Sequence, residues 1–126
     1  MHQDKKIDKK SACPNCLRPK QQCICGRVNP VKNRIPVLIL QYPREQYRLL
    51  NSAKLTSMVL TNSVLRVGLS WRNLSKAYGS ADDTAQWGVL YLGSGARGEE
   101  IVQVLDRKKR PILPRPRIAG IVVLDG

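Results

Sequence analysis

Residues 36–40 read PVLIL and residues 119–124 read AGIVVL. These two unbroken apolar runs decide the fold class. A strand that alternates apolar with polar residues keeps one face in water; a run without alternation has no water-facing side, so both stretches predict strands covered on both faces, as in parallel sheets. Working outward from the first run, Leu49, Leu50, Ala53, Leu55, Met58, Val59 and Leu60 recur near helical spacing between Glu45 and Asn62. The spacing predicts a helix there, with Asn62 as its stop signal, and hence a βα unit.

The same reading gives a second strand over Val64–Leu69, a short helix or loop over Trp71–Tyr78, and a turn-rich linker over Gly79–Thr84. A third strand is expected at Gly88–Leu92 (GVLYL), followed by the glycine-rich segment Gly93–Gly98 and a helix over Glu99–Leu105. Strands alternating with helices imply an α/β fold with a mainly parallel sheet and flanking helices, whose ligands lie beyond the carboxyl ends of the strands. Aromatic residues make up 5% of the chain and phenylalanine is absent, so the core must be built from Leu, Ile and Val.

Twenty-two Lys and Arg face nine Asp and Glu, a net charge of +13 over 126 residues. That excess exceeds what solubility needs and creates a field that draws polyanions, with nucleic acid the leading partner. Two regions concentrate it. One is Arg18, Lys20, Arg27, Lys32 and Arg34; the other is the segment Arg107–Arg117 (RKKRPILPRPR), carrying Arg107, Lys108, Lys109, Arg110, Arg115 and Arg117 among three prolines. Two separated basic surfaces suit a folded RNA better than a small acidic metabolite. No apolar run approaches the roughly 20 residues of a membrane span, and residues 1–11 lack the apolar segment of a signal peptide, so a cytoplasmic protein without membrane attachment is expected.

Cys13, Cys16, Cys23 and Cys25 form C-x2-C-x6-C-x-C, among Pro14, Pro19 and Gly26, which break regular structure. In a reducing compartment such a cluster favours a metal over two disulfides. Four protein thiolates would fill a tetrahedral Zn²⁺ shell, which argues for a structural rather than a catalytic ion. A redox dithiol or unliganded cysteines are the alternatives. His2, the sole histidine, lies in the polar start of the chain and is not expected to be a ligand. The reading divides the chain into a flexible basic N-terminus (1–12), a zinc knuckle with its connector (13–34) and a partial α/β domain (35–126).

The order of these features, C-x-x-C-x-R-P-x3-C-x-C, then LQYPRE at residues 40–45, NSAKL at 51–55 and IVVLDG at 121–126, resembles the DTW-domain family of tRNA-uridine aminocarboxypropyltransferases. The resemblance implies a fold related to the SPOUT methyltransferases and transfer of the 3-amino-3-carboxypropyl group of S-adenosylmethionine to a ring nitrogen of a tRNA uridine, leaving methylthioadenosine. Asp125 occupies the position of the family's motif aspartate. A carboxylate there would accept the imide proton of the pyrimidine. Gln41 and Glu45 match the strand-end motif, and Tyr91, Gly93 and Ser94 match the family's cofactor-side loop, so all five are expected to line the donor site.

The chain departs from the family pattern in three places. Tyr42 stands where the family's usual histidine precedes Pro43, and Leu92 where proline is frequent. The threonine and tryptophan of the D-G-T-W motif do not follow Gly126. The expectation is therefore an incomplete SPOUT-like domain, truncated inside its motif, with little or no transferase activity as given. A non-catalytic zinc-dependent RNA-binding module, or a zinc-stabilised protein-interaction domain, would need only the knuckle and the basic regions.

Overall fold

The computed structural model describes residues 6–79, 86–90 and 103–126. Strands β1 (Val37–Gln41), β2 (Ser63–Val67), β3 (Trp87–Val89) and β4 (Gly120–Asp125) form one sheet in the order β2-β1-β4-β3, with every neighbouring pair parallel. The protein is thus an α/β fold with a parallel sheet preceded by a cysteine knuckle, as the apolar runs and cysteine spacing imply. The PVLIL run becomes β1 and the AGIVVL run becomes β4, the two inner strands, each paired on both sides. They pair with each other, with Leu38 opposite Val122 and Gln41 opposite Asp125.

Strand alternation sorts β1 between two layers. Leu38 packs with Ala77 and Val122 in the main core, joined by Leu40, Val64, Trp71, Leu74, Tyr78 and Trp87, beneath helix α2 (Leu74–Tyr78). Ile39 and Gln41 face the other way, toward helix α1 (Ser52–Val59). Leu38, Ile39 and Gln41 are the largest fully buried side chains among the described residues. Each buried aliphatic contributes roughly 1.5–3 kcal/mol, so this strand anchors both layers.

Helix α1 is shorter than the apolar periodicity over residues 45–62 suggests. Pro43 opens a 3-10 turn over Pro43–Glu45, and Asn51 then caps α1, its side chain accepting from the Lys54 amide. The helix ends because Val31 intrudes beyond it: the Val31 amide donates to Val59 and the Thr61 amide donates to Val31. The second strand covers Ser63–Val67 and stops before Gly68. The segment over 71–78 resolves into α2, capped by Asn73 at its start and by Gly79, at φ +85°, at its end.

Two further expectations meet the structure only in part. Tyr91, Gly93, Ser94 and residues 99–102 lie outside the described residues, as does His2. Residues 103–105, expected to complete a helix, are not helical: Leu105 pairs antiparallel with Pro111. The cause is the turn that Asp106 builds, described below.

Strand β4 begins with a glycine for a packing reason. A Cβ at Gly120 would overlap the Trp87 ring, which lies across the strand and stacks at a tilt on Tyr78 with centroids 4.9 Å apart. Gly120→Ala is expected to displace Trp87 and lower stability by about 1–3 kcal/mol. Urea unfolding followed by tryptophan fluorescence would measure it, and an unchanged midpoint would rule out that packing.

Candidate active-site edge, cysteine centre and basic hairpin

At the carboxyl edge of the sheet, Gln41 ends β1 with no exposed surface. A buried amide must find partners. Its Nε2 donates to Asp125 Oδ2 at 2.8 Å and to Asn51 Oδ1 at 2.8 Å, joining the ends of β1 and β4 to the start of α1. Asn51 in turn donates from Nδ2 to the Gln46 carbonyl at 2.8 Å. The Gln41 Oε1 atom is buried with no hydrogen-bond partner.

Gly126 closes this corner at φ +92°, and a Cβ there would come within 2.9 Å of Glu45 Cγ and 3.0 Å of Tyr42 Cβ. The strand-end motif at 40–45 and the Asp125–Gly126 pair therefore pack directly on each other, although 80 residues separate them. Glu45 forms an ion pair with Arg48 at 3.0 Å. Beside Asp125, Ile39 and Val123 floor a cleft of about 130 Å³ with Ser52, Thr56 and Asp125 on its polar rim. Of the sequence candidates, Gln41, Glu45 and Asp125 come together. Asn51 was not among them, though a polar residue immediately before an apolar periodic stretch is the usual capping signal.

The four cysteines converge, all their sulfurs lying within 4.8 Å of one another. The Sγ separations are 3.8 Å for Cys13–Cys25, 3.9 Å for Cys16–Cys23 and 3.7 Å for Cys13–Cys23. The turn that brings the first pair together is closed by the Cys13 amide donating to the Arg18 carbonyl and by Leu17 at φ +62°. Backbone donors are aimed at the sulfurs. The amides of Cys16 and then Asn15 draw the Cys13 pKa down to about 6. Burial pushes Cys16 up, but the Ile24 and Arg18 amides outweigh it and leave that thiol below its ordinary value. The Cys25 amide acts downward on Cys23, yet the adjacent sulfurs of Cys25 and Cys13 override it and push that thiol up to about 11. Closely packed thiols that resist sharing further negative charge can hold a cation, and the cluster could bind a metal ion.

The chain on either side of the cysteines is tied to the residues flanking α1 at two points. Ile7 donates to the Tyr47 carbonyl before the helix, and Val31 pairs with Leu60 after it. Asn33 reinforces the second strap by donating to the Asn62 carbonyl and accepting from the Asn62 amide. Between knuckle and helix runs a groove of about 440 Å³, with Asn15 and Cys25 on one wall and Lys54 and Met58 on the other. Arg18 donates to the Gln22 carbonyl within the knuckle, while Lys20 and Arg27 are exposed.

The second basic region is a β-hairpin. The Asp106 amide donates to the Arg110 carbonyl, the Lys109 amide to the Asp106 carbonyl, and the Ile112 amide to the Val104 carbonyl. One carboxylate organises the tip: Asp106 Oδ1 accepts from the Lys108 and Arg110 amides at 2.8 and 2.9 Å, and Oδ2 pairs with Arg110 Nε at 3.0 Å. Those donors, the Arg110 amide first, hold Asp106 below its ordinary value of 3.8 despite partial burial that acts the other way. Lys109 adopts φ +62°, a left-handed conformation that disfavours non-glycine residues by roughly 1–2 kcal/mol. Arg107, Lys108, Lys109 and Arg110 are all exposed, as are Arg115 and Arg117 further along.

This combination defines an α/β protein with a carboxylate at the open edge of a parallel sheet, a four-cysteine cluster and a cationic hairpin. The family model for the DTW domain matches residues 10–126, and the chain belongs to that family, whose known function is aminocarboxypropyl transfer to tRNA uridine. Membership makes the protein a transferase-family chain associated with tRNA modification. No curated protein and no solved structure matches the chain. Among the described residues no helix is long and apolar enough to cross a membrane.

Two outcomes follow from these geometries. A strong chelator should raise amide exchange across residues 13–26 while leaving β1 and β4 protected, which hydrogen-exchange mass spectrometry can resolve. Because Asp106 has a lowered folded pKa, its contribution to the hairpin is complete above its ordinary value of 3.8 and disappears as pH falls through the depressed one. The downfield amide signals of Lys108 and Arg110 should collapse in that acid range and nowhere above it.

Proposed function

We propose that the chain acts in tRNA modification as a uridine aminocarboxypropyltransferase using S-adenosylmethionine. The observation that carries this reading is the Gln41–Asp125 hydrogen bond, because it brings two family motifs to one point beside a cleft. At about 130 Å³ the cleft is smaller than the roughly 300–1,000 Å³ of a drug-sized ligand site, so it matches one ring rather than a whole nucleoside donor. Bound S-adenosylmethionine supplies the aminocarboxypropyl group, and Glu45, Gln41, Tyr91, Gly93 and Ser94 are the residues assigned to its side of the site.

Asp125 is the general base. Its carboxylate takes the imide proton of the pyrimidine, which leaves the ring nitrogen nucleophilic. Gln41 holds one carboxylate oxygen by Nε2 and thereby fixes the direction of the other. The apolar floor of Ile39 and Val123 excludes water from the face on which the ring would rest.

The cysteine cluster is assigned structural Zn²⁺. A tetrahedron with ligands about 2.3 Å from its centre has edges of about 3.8 Å. Three of the six sulfur separations, 3.7, 3.8 and 3.9 Å, match those edges and all six lie within 4.8 Å, and four thiolates leave no position for substrate. Zinc would complete the fold of residues 13–34 as a unit carried on the α/β portion over 35–126, with Arg18, Lys20 and Arg27 on the RNA side. Residues Arg107, Lys108, Lys109, Arg110, Arg115 and Arg117 supply the second RNA contact, and the cytoplasm is the compartment where thiolates and tRNA coexist. A non-catalytic RNA-binding module would need no buried glutamine holding a half-buried aspartate at a sheet edge, and that pair favours the enzyme.

The test is mass spectrometry of tRNA nucleosides after incubation of the protein with tRNA and S-adenosylmethionine. Asp125→Asn should lower uridine modification by about a hundredfold or more, and Gln41→Ala by less. Modification at an unchanged rate in Asp125→Asn would remove the general-base assignment. Absence of modified uridine in the parent protein would remove the transferase.

A further inference from the structure

We infer that the hairpin over residues 104–112 is a preorganised RNA-docking finger whose shape is set by Asp106, and that it docks on the paired stem of a folded RNA. The choice of RNA as partner rests on the tRNA-modifying reading above; the role of Asp106 rests on the hairpin itself.

Three observations support it. First, Asp106 is an acid set immediately before the densest run of cations in the chain, Arg107–Arg110, where charge alone would favour a neutral residue if the run merely attracted polyanions. Its carboxylate is occupied by the Lys108 and Arg110 amides and the Arg110 guanidinium, so it spends its charge on shaping the turn. Second, the left-handed position of this turn type favours glycine, yet Lys109 holds it at φ +62°. Backbone strain retained to keep a charged side chain at a tip points to use of that charge. Third, among the described residues no ion pair engages Arg107, Lys108 or Lys109, and all three are exposed at one end of a two-stranded ribbon.

Cations radiating from a single tight turn match a place where phosphates crowd from two strands. An extended single strand presents its phosphates in a line, for which a long flexible basic segment is the better partner. Ordering the finger in advance removes the immobilisation of several long side chains from the cost of binding.

Fluorescence anisotropy of labelled tRNA, titrated with the chain at several salt concentrations, separates shape from charge. Asp106→Ala raises the net charge by one but removes the organiser, and binding should weaken about fivefold. Asp106→Asn raises the charge equally while keeping an acceptor oxygen for the two amides, and it should bind as tightly as the parent or more so. Replacing Arg107, Lys108 and Lys109 by alanine should reduce the salt slope by about 2 to 3. Poly(U) of matched length should bind more weakly than tRNA.

Asp106→Ala binding as tightly as Asp106→Asn would overturn the preorganised finger, and poly(U) binding equal to tRNA would overturn the paired stem as its partner. Urea unfolding of each variant confirms that the sheet is intact. These readouts do not involve uridine chemistry, so failure of the transferase assay and failure of the finger are told apart.

Discussion

A glutamine side chain with no exposed surface at the end of a central strand constrains everything around it. Leaving a buried amide without partners costs on the order of 1–3 kcal/mol, so Gln41 can occupy its position only if acceptors are delivered to it. One acceptor comes from β4 and the other from the residue that caps α1. Register between β1 and β4 is thereby fixed from the side chain as well as from the ladder, since a shift of one residue would turn Asp125 to the opposite face. The same bond sets the carboxylate beside the cleft, so fold and candidate chemistry share one interaction.

The knuckle depends on that arrangement indirectly. Its two straps reach residues just before and just after α1, so the helix that Asn51 starts is also the support on which the cysteine cluster rests. Between Lys9 and Ala81 the only acid is Glu45, and Arg48 neutralises it. A tetrathiolate zinc centre would itself carry two negative charges, which the five cations from Arg18 to Arg34 exceed. The knuckle face therefore remains attractive to polyanions with a metal in place.

Much of this was legible in the sequence where one physical signal acted alone. PVLIL and AGIVVL both became inner strands of the parallel sheet within a residue or so of the expected ends; the first is well buried, whereas the second leaves Leu124 exposed at its end. Cysteine spacing brought the sulfurs together because Pro14, Pro19 and Gly26 limit the segment to tight turns and a single short 3-10 turn over Lys20–Gln22. The reading was less accurate where two signals competed. Apolar spacing over 45–62 favoured one long helix, but Pro43 and the cap at Asn51 divide it, and Val31, distant in sequence, sets its end. The value of Asn51 to the site was hidden for the same reason: its helix-capping role is local, whereas its bond to Gln41 depends on tertiary placement.

The basic segment shows most clearly why charge and composition alone were insufficient. Composition marked Arg107–Arg117 only as a cationic segment with three prolines, and periodicity placed a helix up to Leu105. Both readings passed over Asp106, which is well suited to the first position of a tight turn and lies three residues before the strained Lys109. An aspartate there satisfies two amides that a bare cationic loop would leave to water, and it pairs with the Arg110 guanidinium, which would otherwise add to the repulsion among its neighbours. The run of like charge can fold into a compact tip because the acid immediately before it binds the Lys108 and Arg110 amides and the Arg110 guanidinium; without Asp106, mutual repulsion among Arg107, Lys108, Lys109 and Arg110 would favour a more open loop.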